Sequence, residues 1–150
     1  MTFTIARADP RAPGPSDLLA QSHALMQSLF PPEDNFYLDI NALTAPDIHF
    51  FAASRGDETL GTAALADKGS YGEVKSMFVS SAARGLGVGA ALLARLEQQA
   101  RALGHSAMKL ETGNALHAAH RLYERAGFTT CGPFGDYPDA ASSLFMEKSL

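Results

Sequence analysis

Three glycines, at positions 85, 87 and 89, form the stretch of this chain that is best suited to binding an anion. They follow Arg84 in the run RGLGVG, between a segment with strand periodicity, residues 73–79, and an apolar segment with helical periodicity. Closely spaced glycines let the main chain approach a ligand, and the free N–H groups and positive dipole end of the following helix attract anionic oxygens. Arg84 adds a fixed positive charge. The pattern therefore predicts a phosphate site.

Two nucleotide-binding motifs compete for the same glycines. Gly85, Gly87 and Ala90 satisfy G-x-G-x-x-G/A, and Glu111 lies near the end of the next predicted strand, where a ribose-binding acid belongs. However, residues 80–84 separate the preceding strand from the first glycine, whereas the dinucleotide motif turns at once. The phosphate loop of nucleotide triphosphatases needs Gly-Lys-Ser/Thr, which this sequence lacks. Both motifs therefore fit less well than a different phosphate loop.

The segments before and after the loop predict a mixed sheet. Residues 47–54 and 58–66 are apolar runs that flank the turn Arg55-Gly56-Asp57, and residues 73–79 follow as a third antiparallel strand. The strand predicted over 107–112 is joined to 73–79 through the helix that follows the glycines. These two strands should therefore be parallel neighbours connected by a right-handed crossover.

The helix after the glycines is predicted over residues 87–103, with Gly104 as its C-terminal stop. Its apolar stripe consists of Val88, Leu92, Leu96, Ala100 and Leu103. The other predicted elements are a strand over 2–8, a helix capped by Ser16 and ended by Pro31-Pro32, a short helix over 39–44, a helix over 115–126 stopped by Gly127, strands over 128–131 and 143–148, and a Pro/Gly-rich loop over 132–139.

Composition limits the classes of partner. The 150 residues predict a single domain, residues 1–150, and a net charge of −4 argues against a nucleic-acid partner held on a basic face. The sequence has no apolar run of membrane-span or signal-peptide length, which predicts a cytoplasmic protein with no membrane partner. Cys131, the single cysteine, cannot form an internal disulfide and is expected to be a buried strand residue.

Two stretches resemble one enzyme superfamily. Residues 84–89 match the Q/R-x-x-G-x-G/A signature of the GNAT superfamily of N-acetyltransferases, and the run AHRLYERAGF at 119–128 is similar to the later part of its acetyl-CoA core. The resemblance covers residues 71–132 well and the first seventy in outline. It implies an α/β (α+β) GNAT fold: a mixed, mostly antiparallel sheet of six or seven strands, about four flanking helices, and a central parallel strand pair that splays around the cofactor.

The resemblance also implies acetyl-CoA as the cosubstrate, with no metal. The glycine loop and the N-terminus of the following helix would hold the pyrophosphate, and the unpaired backbone of the strand over 73–79 would hold the pantetheine amides. The residues expected to contact the cofactor are Met77, Phe78, Val79, Arg84, Gly85, Leu86, Gly87, Val88, Gly89, Ala90 and Asn114. Asn114 enters because the family often has Asn where this chain has Leu116; its competing role, which we favour, is N-cap of the helix at 115.

Two residues match the catalytic positions of the superfamily. Glu73 corresponds to the general base of its histone-type members, and would deprotonate an amine whose pKa near 10 keeps it charged at neutral pH. Tyr123 corresponds to the general acid that returns a proton to the departing CoA thiolate. The structural alternatives are an exposed strand glutamate paired with Lys75 and a tyrosine that anchors its helix.

The function implied is transfer of an acetyl group from acetyl-CoA to a small-molecule or peptide amine, by direct attack in a ternary complex. The alternative is a GNAT-like regulator that binds acetyl-CoA without turning it over, and a homodimer is possible. Candidates for acceptor contact are Phe30, Glu33, Asn35 and Tyr37. His117, His120 and Glu124 share a predicted helix but lack a further ligand at metal spacing, so they are expected on its surface.

Overall fold

Within residues 2–150, the computed structural model places seven strands in one mixed sheet. In chain order they are β1 Thr4–Arg7, β2 Ile48–Arg55, β3 Glu58–Asp67, β4 Gly72–Val79, β5 Ala107–Gly113, β6 Thr129–Cys131 and β7 Ser143–Ser149. Their spatial order is β1-β2-β3-β4-β5-β7-β6, and β4 with β5 is the parallel pair. The prediction of a mixed, mostly antiparallel sheet is confirmed.

Three α-helices and three short 3-10 helices connect these strands in the described chain. The α-helices are α1 Pro13–Leu29, α2 Val88–Ala102 and α3 His117–Arg125, and the 3-10 helices are Pro32–Asp34, Ala42–Thr44 and Ser81–Ala83. The predicted short helix over 39–44 is thus a single 3-10 turn. Gly104, with φ of +83°, follows the C-cap of α2 as predicted.

The start of α1 corrects the predicted cap at Ser16. The helix begins at Pro13 with Ala12 as N-cap, and the Ser16 N–H already donates to the Ala12 carbonyl at 2.9 Å. Proline suits the first turn because its φ is preset and its missing N–H would have no intrahelical partner there. The helix therefore starts one turn before the serine and needs no side-chain cap.

Helix α2 packs against one face of the sheet through its apolar stripe. Val88, Leu92, Leu96 and Ala100 are each at most 1% exposed, and burying each leucine contributes about 1.5–3 kcal/mol. Leu103, predicted as the end of this stripe, is instead the exposed C-cap, since the helix ends at Ala102. A second, smaller cluster is formed by Leu19, Leu43, Phe50 and Ala64, with Leu19 contributed by α1.

Strands β4 and β5 pair only at their first residues. The parallel ladder joins Gly72 to Met108 and Glu73 to Lys109, and it ends there, while β5 continues along its whole length beside β7. The β5-facing edge of β4 beyond Glu73 therefore has no strand partner. This separation of the two central strands was predicted, and it opens the sheet at its centre.

Candidate active site

The gap between β4 and β5 opens into a cleft of about 1130 Å³. Its walls come from the end of β4, the glycine loop, the start of α2, and α3. Nine of the eleven residues predicted to bind the cofactor line it: Met77, Phe78, Val79, Arg84, Gly85, Gly87, Val88, Gly89 and Ala90. Leu86 instead packs against the main apolar core, and Asn114 lies outside the cleft lining.

The glycine loop has the backbone that its sequence predicts. Gly85 and Gly87 adopt left-handed conformations, with φ of +84° and +82°, which ordinary L-residues rarely adopt. Gly87 is the N-cap of α2 and supplies no side-chain oxygen, so the first N–H groups of the helix are not capped by it. Arg84 beside them is exposed. These groups can bind an anion at the mouth of the cleft.

A β-bulge in β4 directs its last residues into the cleft. The register with β3 shifts between Thr62 and Ala64, and Ser76 opposite this shift has φ of +54°. The buried Thr62 hydroxyl donates to the Ser76 carbonyl at 2.9 Å and holds the bulge in place. Beyond it, Phe78 and Val79 pair with β3 again, so the main-chain groups on the opposite edge remain available to a ligand.

Glu73 lies in a buried polar cluster where β4 and β5 separate. The residue is only 3% exposed, and its Oε2 accepts a short hydrogen bond from the Tyr137 hydroxyl. Lys75 Nζ lies 3.5 Å from the same oxygen, and donates to the Tyr137 hydroxyl oxygen at 2.6 Å and to the Phe36 carbonyl at 3.0 Å. The ion pair with Lys75 considered from the sequence is therefore present, but the glutamate is buried rather than exposed.

Glu111 of β5 links this cluster electrostatically to Tyr123 of α3, because the charge of Glu73 acts on Glu111 and the charge of Glu111 acts on Tyr123. Burial raises the pKa of Glu111, although a hydrogen bond from the Ser143 hydroxyl at 2.8 Å and the charge of Lys75 oppose the rise. Tyr123 is 6% exposed, and both its burial and the charge of Glu111 raise the pKa of its phenol. The phenol is therefore protonated at neutral pH. Tyr123 belongs to the apolar core, while its neighbours Leu122 and Ala126 line the cleft.

Comparison with known proteins identifies the family. The model of the acetyltransferase (GNAT) family matches residues 17–128, which is most of the chain. The chain belongs to the GNAT acetyltransferase family. The resemblance seen in the glycine loop and in the run at 119–128 is thereby confirmed, and the match extends back into α1.

Individual relatives of this GNAT protein agree with the assignment. The chain is 44% identical to an IAA acetyltransferase from Azospirillum brasilense over 149 residues, covering 98% of this chain and 97% of that protein. A crystal structure of a Klebsiella pneumoniae protein, assigned as an acyl-CoA N-acyltransferase, superimposes with a TM-score of 0.83 at 31% identity, covering 99% of this chain and 98% of that one. The sequence relative and the crystal structure thus support the same family and fold along nearly the whole length of this chain.

A more distant structure shares the fold alone. The PaiA N-acetyltransferase from Thermoplasma acidophilum, solved in complex with coenzyme A, superimposes with a TM-score of 0.78 at 15% identity, covering 100% of both chains.

Among residues 2–150, none of the helices combines the length and apolar content that a bilayer crossing requires.

Asn114 does not cap α3 in this GNAT chain, which corrects the role favoured from sequence. Its Nδ2 donates to the Ala141 carbonyl at 3.0 Å and its N–H to the Ser142 carbonyl at 2.8 Å. The helix begins at His117, with Leu116 as an N-cap that offers no side-chain acceptor. Tertiary pairing with the segment before β7 therefore engages both the backbone N–H and the side-chain amide of Asn114. Leu116 lines the cleft.

Some site residues were missed by the sequence patterns. Tyr137 lies in the Pro/Gly-rich loop, where no periodicity indicates which side chain points inward, and its aromatic character between two acidic residues was the only signal. From α1, Leu25 and Met26 add an apolar wall to the cleft, and from α3, Arg125 adds a positive charge.

The predicted acceptor residues lie in a separate place. Phe30, Asn35 and Tyr37 line a second cavity of about 600 Å³, but Glu33 is not part of its lining. Within the described residues, His117 and His120 belong to no cluster of three metal-ligating side chains. His120 Nε2 is instead 2.8 Å from the Gly113 carbonyl.

Proposed function

We propose that this protein is an acetyl-CoA-dependent N-acetyltransferase that acetylates a small-molecule or peptide amine in a ternary complex. The observation that supports this most directly is the cleft between β4 and β5. It combines an uncapped helix N-terminus at one end with an unpaired strand edge along its wall. An anion followed by a chain of amides fits these two features, and coenzyme A has both chemistries.

The residues fit the cofactor in two parts. The N–H groups around Gly87 and Gly89, with the Arg84 guanidinium, would bind the pyrophosphate oxygens. The free edge of Met77, Phe78 and Val79 would bind the pantetheine amides as an added strand. The acetyl end would then lie near Met77, on the part of β4 that leads back to Glu73.

The base of the reaction would come from the buried polar cluster around Glu73, and the acid would come from α3. Glu73 would accept the proton that the attacking amine loses, directly or through a water. Its contacts with Tyr137 and Lys75 both involve Oε2, which leaves Oε1 for the acceptor. As the C–S bond breaks, Tyr123 would donate to the sulfur. Because its pKa is raised, the phenol would stabilise the thiolate by a hydrogen bond before any proton transfer.

For the acceptor, the proposal extends only to its chemical class. Leu25 and Met26 border the cleft, so an amine carried on an apolar body fits better than a highly charged polyamine. The Azospirillum relative is named for IAA, so IAA belongs among the compounds tested beside simple amines, amino acids and peptides.

Two measurements test this function together. Calorimetry with coenzyme A and acetyl-CoA should show binding of each, and release of free thiol from acetyl-CoA should increase in the presence of at least one amine of the panel. Binding without acceptor-dependent thiol release across a broad panel would favour the regulator instead. An absence of coenzyme binding would contradict both. The control protein is Glu73→Gln, which should bind acetyl-CoA but lose most turnover.

A further inference from the structure

We infer that Tyr137 is a positioning residue for the reaction: its hydroxyl orients the Glu73 carboxylate, and its ring fixes two loops beside that carboxylate. This inference rests on the proposed function, because it assigns Tyr137 a role in the work of the base. It concerns a residue of the loop between β6 and β7, which the sequence patterns left without a role.

Hydrogen bonds link Tyr137 to both charges of the buried pair. Its O–H donates to Glu73 Oε2, and its oxygen accepts from Lys75 Nζ at 2.6 Å. The Lys75 ammonium lies 5.3 Å from the centre of the Tyr137 ring, beyond the hydroxyl and close to the ring plane, so its contact with the phenol is through the oxygen. One side chain thereby fixes the separation and orientation of the two groups.

The ring of Tyr137 connects segments that are distant in sequence. It packs edge-on against Phe36, at 5.5 Å between ring centroids, in the segment between α1 and β2. It packs in the same way against Phe134 at 5.3 Å and against Phe145 of β7 at 5.6 Å. Lys75 reinforces the connection by donating to the Phe36 carbonyl at 3.0 Å. Both loops are thus attached to β4 beside the proposed base.

The Tyr137 hydroxyl is the nearer of the two partners of Glu73 Oε2, since Lys75 Nζ lies 3.5 Å from that oxygen. Removing this hydroxyl would leave the carboxylate free to rotate away from the orientation in which it meets the acceptor. The other charged or phenolic side chains near Glu73 are Tyr71 from the β3–β4 turn, Lys75 from β4 and Glu111 from β5.

The matched pair of variants is Tyr137→Phe and Tyr71→Phe. The first keeps the ring and its three aromatic contacts and removes only the hydroxyl. The second removes a phenol hydroxyl from the same aromatic cluster, where the Tyr71 ring packs on Phe134 at 5.6 Å. Tyr71 is close enough for the charge of Glu73 to act on it, but it makes no hydrogen bond to that carboxylate. Lys75→Met is a further variant that removes the cation from the same carboxylate.

Thiol-release kinetics measure this role in each folded protein. We expect kcat of Tyr137→Phe to fall about tenfold with KM for acetyl-CoA unchanged, because the carboxylate loses the hydrogen bond that orients it while the cofactor cleft is untouched. Lys75→Met should lower kcat as well, and Tyr71→Phe should keep kcat within about twofold of the wild type. A kcat of Tyr137→Phe equal to that of Tyr71→Phe would overturn the inference.

A double-mutant comparison separates this inference from the proposed function. Because Tyr137 is inferred to act through the Glu73 carboxylate, Tyr137→Phe should lower kcat in the wild-type background and have little further effect in the Glu73→Gln background. If Glu73→Gln leaves kcat unchanged, Glu73 is not the base, and the role of Tyr137 is overturned together with that of Glu73. An acetyl-CoA affinity equal to that of the wild type is expected throughout.

Discussion

Gly87→Ala tests the anion site through the backbone alone. Gly87 has φ of +82°, and a Cβ added there would have no heavy atom within 4 Å, so steric overlap contributes nothing. Holding an L-residue in this conformation costs about 1–2 kcal/mol. Since the acetyl-CoA complex needs the loop in its present shape, the bound state of the variant carries this whole cost.

The cost divides between folding and binding. The loop is exposed at Arg84, Gly85 and Gly87, so the free variant can relax part of the strain by moving the loop away from the left-handed conformation. The loss in unfolding free energy and the loss in binding free energy should therefore sum to about 1–2 kcal/mol. If the loop relaxes fully, binding of acetyl-CoA weakens by about 5- to 30-fold.

Gly56→Ala supplies the matched control. Gly56 has φ of +59° in the β2–β3 hairpin, and a Cβ there also meets nothing within 4 Å. The backbone strain of Gly56→Ala should lower the unfolding free energy and leave the acetyl-CoA affinity unchanged. Asparagine tolerates this conformation better, so Gly87→Asn should recover much of what Gly87→Ala loses.

Urea unfolding and calorimetry measure the two losses separately. The reasoning would be refuted by a sum near zero for Gly87→Ala, because the backbone strain would then be absent. It would equally be refuted if Gly56→Ala weakened acetyl-CoA binding as much as Gly87→Ala, because the effect on affinity would not be local to the cleft.

Three further predictions follow from the geometry of the site and of the cleft wall. Arg84→Ala should weaken acetyl-CoA binding, more at low salt than at high salt, because the lost contact is electrostatic; calorimetry at two ionic strengths measures this. Tyr123→Phe should lower kcat by about 10²- to 10⁴-fold, measured by thiol release, with little change in affinity. Lys148→Met removes a contact of 2.5 Å to Glu97, whose pKa that hydrogen bond lowers, and should reduce unfolding free energy by about 0.5–1 kcal/mol at pH 7.

The lowered pKa of Glu97 determines how the effect of Lys148→Met on stability depends on pH. Glu97 has a lower pKa folded than unfolded, so its contribution is complete above the unfolded value and disappears as the pH falls through the folded value. The difference between wild type and Lys148→Met should therefore shrink in acid. A difference that grows toward low pH would contradict the assignment. For the other two variants, salt-independent affinity in Arg84→Ala or an unchanged kcat in Tyr123→Phe would remove that residue from its role.

Local sequence determined the elements and the anion loop. Strand and helix periodicity, the Gly56 hairpin and the stop at Gly104 depend on interactions between residues a few positions apart, so they are readable without the fold. The predicted boundaries that failed, such as the cap at Ser16 and the start of α3, lie at element ends. There, one more turn of helix costs so little free energy that a nearby proline or a tertiary contact decides where the helix begins.

Only the tertiary structure decided the surroundings of the proposed base. Tyr137 reaches Glu73 from 64 positions along the chain, and Asn114 is engaged by the segment before β7 rather than by its own helix. No local preference encodes such contacts, because the packing of the whole sheet brings these loops together. The sequence by itself predicted where a phosphate would bind, whereas the packing of distant loops against β4 determined which side chains meet beside Glu73.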